Sequence, residues 1–241
     1  MRGRSTVINA MLGTDVLPTG VMCRTAVPTF IRRGEEMRAE LTYRDGSSVN
    51  ITVDRLRECI TAETEDSEKQ AELIDYVTVF CPSLLCKNDI QFVDMPGLCY
   101  EERFDRIVKG ILPFLDIAIM VVSPSSPFSV SEAEYVRNMI IPLSIERIIF
   151  VVNKIDQEDD EIRSRIIDHI KGKISSCVLE VLKAEKGENS DEYRSALDKL
   201  GEIKVIGVSA KQAVEAKTKN NPILLEKSGF VALENLIEEL I

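Results

Sequence analysis

A chain of 241 residues, 44% hydrophobic and 29% charged, has room for one large α/β domain or two small ones and the composition of an ordinary globular protein. Its net charge of −10, without a strongly basic block, argues against a nucleic-acid partner. The six cysteines form no Cys-x-x-Cys pair and the only histidine is His169, which speaks against a zinc site and for reduced packing thiols.

The first nine residues, Met1 to Asn9, have the form of the second half of a phosphate-binding loop entering a helix. In the full pattern a glycine, four free positions and Gly-Lys-Ser/Thr bring backbone N–H groups, a lysine and a hydroxyl to phosphate and magnesium. Gly3, Ser5 and Thr6 fit, while Arg4 stands in the lysine position. The helix is expected from Ser5 to Leu12, stopped by Gly13, with a turn at Leu17-Pro18-Thr19-Gly20. Ala26 to Arg33 reads as a strand that Pro28 would place at a sheet edge. Arg38 to Arg44 and Ser48 to Val53 flank Asp45-Gly46-Ser47 as a hairpin. A helix from Asp54 holds Leu56 and Ile60, and the polar run Glu63 to Gln70 leads into another that ends near Ile74.

Strands are expected at Tyr76 to Cys81 and Ile90 to Asp94, the second running into Met95-Pro96-Gly97-Leu98. A helix near Arg103 to Leu112 precedes the strongly apolar strand Asp116 to Ser123. The most apolar segment, Ile111 to Val122, is broken by Pro113 and Asp116 and too short to span a bilayer, and no secretory signal follows Met1, so a soluble, cytoplasmic domain is expected. After the Ser/Pro loop Pro124 to Ser129, Ser131 is expected to cap a helix through Ile141. Arg147 to Val152 is a buried strand ending in Asn153-Lys154-Ile155-Asp156. A long amphipathic helix from Asp159 to about Lys186, a second to Leu200, the strand Ile203 to Val208, the loop Ser209-Ala210-Lys211 and further helices complete the chain. Strands alternating with helices indicate a mainly parallel sheet covered on both faces, with the hairpin as an antiparallel edge.

Ligands of such sheets bind beyond the carboxyl ends of the strands, where Asp94-Met95-Pro96-Gly97, Asn153-Lys154-Ile155-Asp156 and Ser209-Ala210-Lys211 all fall. Their order after a Gly-x-Ser-Thr helix start resembles the TRAFAC class of P-loop GTPases. The stretch Arg2 to Gly13 with Leu17-Pro18-Thr19-Gly20 is similar, more narrowly, to the dynamin family and its bacterial members. A carboxylate at the guanine edge can accept from both N1–H and the exocyclic amine, which adenine does not offer in that arrangement. The resemblance gives that role to Asp156, stacking along the base to Lys154, and loop bracing to Asn153. It implies guanine contact through backbone N–H groups of Ser209, Ala210 and Lys211, and phosphate contacts from Gly3, Arg4, Ser5, Thr6 and Gly97. Magnesium would be held by Ser5 and Thr25, with Asp94 acting through water, and Thr25 would also meet the attacking water. Met95 departs from the usual threonine, and Leu98 stands where some small GTPases orient water with glutamine.

The resulting expectation is a three-layer P-loop α/β sandwich, residues 1–241 forming one dynamin-type GTPase domain without a stalk and with its first strand missing. Such a domain would hydrolyse GTP to GDP and phosphate in its complete form, with a homodimer across the nucleotide face and membrane contact only through other parts of the protein. Two departures put turnover by this chain in question. Arginine is a broad planar fork on a different stem, so Arg4 is not a conservative replacement. The phosphate loop also lacks the strand that should lead into it. The alternatives are a nucleotide-binding interaction module without turnover, or a non-dynamin TRAFAC GTPase.

Overall fold

The Asp45-Gly46-Ser47 turn forms by local chemistry alone. The Ser47 N–H and hydroxyl both donate to Asp45 Oδ1 at 2.9 and 2.6 Å, and Gly46 takes the left-handed φ of 85° that the turn requires. It joins strands β2 (Arg38–Tyr43) and β3 (Ser48–Ile51) as expected. The computed structural model describes residues 2–20, 25–61, 65–86, 90–96, 110–111 and 114–240. The chain divides into two compact units, one of Gly3–Val108 with Lys217–Asn220, the other of Met1–Arg2, Lys109–Ala216 and Asn221–Ile241.

In the first unit the hairpin joins β1 (Thr29–Arg33), β4 (Ile74–Cys81) and β5 (Phe92–Asp94) in a sheet of order β3-β2-β4-β1-β5. β1 runs parallel to β4 and antiparallel to β5, and β2 is antiparallel to both β3 and β4. The edge position expected from Pro28 is not found: β1 lies between β4 and β5. Pro28 sits just before the paired residues, and its carbonyl accepts the Val77 N–H at 2.9 Å, so its missing N–H breaks no ladder bond. Helices α1 (Arg4–Leu12), α2 (Leu56–Ile60) and α3 (Glu65–Leu73) accompany this sheet. Ile31, Leu41, Leu56, Ile60, Val77 and Val79 form the centre of its core, and Cys59, Cys81 and Cys86 pack there as the composition suggests. Burial pushes the Cys86 thiol up to about 11, which keeps it protonated and unreactive.

The second unit is built on a parallel sheet of order β6-β7-β8, comprising Ile117–Val122, Arg147–Asn153 and Lys204–Val208. Every residue of β7 after Arg147 is buried, which explains its unbroken apolar run. Ser129, not Ser131, caps the helix after the Ser/Pro loop, so α4 spans Val130–Tyr135 and a π turn continues it to Ile140. Ser129 wins because Glu132 lies three residues on, and its carboxylate takes the Ser129 N–H at 2.7 Å. The long helix is found as α5 (Asp160–Ile174), a π turn at Ser175–Glu180 and α6 (Val181–Lys186), ended by Gly187 at φ 94°. α7 (Asp191–Leu200), α8 (Ala210–Thr218), α9 (Pro222–Lys227) and α10 (Phe230–Leu240) follow. The helix expected near Arg103 lies almost wholly outside the described residues. Among the described residues no strand joins β5 to β6, so the strands fall into two sheets. No described helix is long and apolar enough to cross a membrane.

Candidate functional site

The first unit gathers the residues expected to meet phosphate and magnesium. Gly3, at φ 76°, caps α1 and puts Arg4, Ser5 and Thr6 in its first turn. The Ser5 hydroxyl donates to Asp94 Oδ2 at 2.7 Å, the Thr25 hydroxyl donates to the same oxygen at 3.1 Å, and the two hydroxyls lie 3.4 Å apart. Asp94, the last residue of β5, is 2% exposed. Burial pushes its carboxyl above the ordinary range, against the opposing pulls of the Arg4 guanidinium and the two hydroxyls. Two hydroxyls and a buried carboxylate are hard oxygen donors, a set of the kind magnesium takes. Arg4 Nη1 reaches the Pro96 carbonyl at a loose 3.5 Å. Thr25 is fixed by a bridge to Thr61, and the next residue, Ala26, donates to Ile60 O at 2.8 Å. Gly97 and residues 21–24, which precede Thr25, lie outside the described residues.

Two braces in this unit had no sequence motif to announce them. Asn9, fully buried on α1, accepts the N–H groups of Val16 and Leu17 on Oδ1 and donates from Nδ2 to Asp15 and to the Leu17 carbonyl. That anchors the Leu17-Pro18-Thr19-Gly20 turn to the helix that carries Ser5. Lys217 Nζ caps the other end of α1, on the carbonyls of Ala10 and Met11 at 2.6 and 3.2 Å.

The second unit carries Asn153-Lys154-Ile155-Asp156, the stretch expected to meet guanine. Asn153 ends β7 with its side chain 2% exposed. Its Oδ1 accepts the N–H groups of Lys154 at 2.9 Å and Ala210 at 3.1 Å, while Nδ2 donates to the Arg2 carbonyl at 2.9 Å. Lys154 takes a left-handed backbone at φ 68°, a strained state for a non-glycine residue that concentrates at functional sites. The strain turns the chain so that Ile155 is buried while Asp156 stays partly open. Arg163 Nε holds this loop through the carbonyls of Ile155 and Glu158 at 2.9 and 2.8 Å, another contact that sequence reasoning missed. Across the sheet, Ser209 donates its N–H to Ser228 O at 2.8 Å, and its hydroxyl accepts the Gln212 N–H at 3.3 Å to cap α8. Gly207 beside it has no room for a larger residue without displacing Ile155, and a Cβ at Gly229, where φ is 76°, would lie 2.2 Å from the Gly207 carbonyl oxygen.

Of the expected site residues, the first unit therefore brings together Gly3, Arg4, Ser5, Thr6, Thr25 and Asp94. The second groups Asn153, Lys154, Asp156, Ser209, Ala210 and Lys211.

Parallel strands ending in polar loops, with a glycine-started helix beside a buried strand-end carboxylate, define a P-loop-type α/β fold. The chain belongs to the dynamin family, whose model matches residues 1–155. It is 28% identical over 241 residues to a bacterial dynamin-like protein of Nostoc punctiforme, covering 95% of this chain and 34% of that protein. A dynamin-like protein 2 of Campylobacter jejuni is 27% identical over 208 residues, covering 83% of this chain and 33% of that one. A solved structure of an oligomerised bacterial dynamin pair, described as sensing and tethering membranes over long range, has the same fold. It matches with a TM-score of 0.67 at 18% identity, over 98% of this chain and 36% of that one. The chain thus spans about a third of the length of these relatives.

Proposed function

We propose that this chain binds GTP and GDP with magnesium and is the nucleotide-binding part of a dynamin-like GTPase. The observation that carries the reading is the Asn153 hub, which fixes the strained Lys154 and holds the following Asp156 in a loop of defined shape. A carboxylate fixed in that way accepts two hydrogen bonds from guanine and is left unsatisfied by adenine. Ser209 and Ala210 have already committed their N–H groups, to Ser228 O and Asn153 Oδ1. The N–H of Lys211, at the second position of α8 with no carbonyl a turn behind it, is the one left for the guanine oxygen.

Magnesium, when bound, would neutralise charge developing on the phosphates. Ser5 and Thr25 would contribute their hydroxyls to it, Asp94 would act through water, and Gly3, Arg4 and Thr6 would face the phosphate oxygens. Thr25 would also orient the attacking water, and Gly97 would meet the γ-phosphate. Catalysis would be positioning and charge stabilisation, aided by a second copy across the nucleotide face. Turnover would be coupled to membrane work from the cytoplasmic side, a reading supported by the membrane-tethering bacterial pair that shares the fold.

Arg4 favours a second reading, a binding module without turnover, because its guanidinium already reaches toward the Pro96 carbonyl. Comparing GTP binding and phosphate release in the parent and in Arg4→Lys tests both. Binding with release restored only by lysine selects the module for this chain. No binding of GTP by the parent overturns both readings.

A further inference from the structure

Arg2 fills the last free position of the phosphate loop, just before Gly3, where the motif sets no residue type, yet it meets two buried groups of the second unit. Its carbonyl takes the Asn153 Nδ2–H at 2.9 Å, and its Nε lies 2.8 Å from Glu132 Oε1. The latter contact is one of charge, since the N–H is not aimed at the carboxylate. We propose that Arg2 is a positioning residue for the base-reading loop, set in place by the buried Glu132 carboxylate. This rests on the guanine reading of Asn153 to Asp156 given above.

The contacts close a circuit that begins and ends on β7. Phe150 of β7 meets Phe128 edge-to-face with ring centroids 5.5 Å apart. Phe128 is 1% exposed and has φ 50°, which a bulky residue adopts only when its surroundings force it. Lys173 Nζ steadies that turn through the carbonyls of Pro127 and Phe128 at 3.4 and 3.5 Å. The next residue, Ser129, gives its N–H and hydroxyl to Glu132 Oε2 at 2.7 and 2.8 Å, leaving Oε1 for Arg2. Arg2 returns the circuit to β7 at Asn153, three residues along the strand from Phe150.

Glu132 is 2% exposed, and burying a carboxylate is costly unless a cation is paired with it. Arg2 supplies the cation, and the pairing holds the Arg2 backbone where Asn153 can reach its carbonyl. A change at Glu132, in the first turn of α4, is therefore felt at the guanine loop although Glu132 belongs to none of the base-reading positions.

The test compares GTP and ATP affinities, with magnesium, for the parent chain, Arg2→Met, Arg2→Lys, Glu132→Gln and the Arg2→Met/Glu132→Gln pair, with a thermal unfolding curve for each. Arg2→Met and Glu132→Gln should each lower GTP affinity on the order of 10-fold more than they lower the weak ATP affinity, since a small misplacement of a site has effects of this size or larger. The double variant should be no worse than either single, and Arg2→Lys should recover most of the affinity. An unaltered GTP-to-ATP ratio in Arg2→Met overturns the proposal, even where the melting temperature falls, because that pattern is structural support alone. If Glu132→Gln does not fold, the two Arg2 variants decide. A parent chain without preference for GTP sinks the guanine reading and this inference together, whereas a preference that Arg2→Met leaves intact sinks this inference only.

Discussion

Replacing Asn153 by alanine removes one side chain that holds three backbone groups, the N–H of Lys154, the N–H of Ala210 and the carbonyl of Arg2. Ala210 is 1% exposed, so its N–H would be left buried with no acceptor, at a cost of about 1–3 kcal/mol. Lys154 is half-buried and can turn to water, so its loss is nearer the net worth of an ordinary hydrogen bond, about 1 kcal/mol. The total, about 2–4 kcal/mol, is a large share of the 5–15 kcal/mol typical of a domain. Urea unfolding followed by circular dichroism should show a lower midpoint with an unchanged slope. Freed from Asn153, Lys154 can also leave its left-handed conformation, which moves Asp156, so GTP affinity should fall on the order of 100-fold. Asn153→Asp is the informative companion. It keeps an acceptor for both N–H groups but sets a second oxygen against the Arg2 carbonyl, and it should fall between parent and alanine in stability. A loss below about 0.5 kcal/mol in Asn153→Ala, with GTP binding intact, would refute the reasoning, since effects that small mark sites without such partners.

Further variants probe other braces. Gly229→Ala would place a Cβ 2.2 Å from the Gly207 carbonyl at φ 76°, so strain and clash together should cost about 2–5 kcal/mol, read from the urea midpoint. Gly46→Ala, at φ 85° with open space around it, isolates the backbone effect and should cost only about 1–2 kcal/mol. Lys217→Met uncaps the carbonyls of Ala10 and Met11 and should destabilise the first unit by about 1–2 kcal/mol, with faster amide exchange in α1. Asp94→Asn removes a buried charge that burial disfavours, so the free protein should melt at a higher temperature while nucleotide binding loses its dependence on magnesium.

What the sequence disclosed and what it hid divide along physical lines. The Asp45-Gly46-Ser47 hairpin was legible because its turn is made by neighbours in the chain, and β7 because full burial leaves an apolar run. The places of Ser5, Asp94 and Asn153 at the ends of elements were legible because each follows or opens a stretch whose pattern marks a strand or a helix start. The place of β1 within its sheet was not, since a proline just outside a strand and one inside it leave the same trace in the sequence. Two serines stand at this helix start, and the sign that separates Ser129 from Ser131 is Glu132 three residues beyond Ser129. Lys217 on α1, Ser228 on Ser209 and Glu132 on Arg2 were invisible, because each partner pair is set by topology across a long stretch of chain rather than by spacing.

The central claim is that Asp156 reads guanine from a loop that Asn153 holds in shape. Calorimetric titration of the chain with GTP and with ATP, both with magnesium, tests it most directly. The account predicts GTP bound at least about 100-fold more tightly than ATP, and near-equal weak binding of the two in Asp156→Ala. Equal affinities in the parent chain, or a preference for GTP that survives Asp156→Ala, would contradict it.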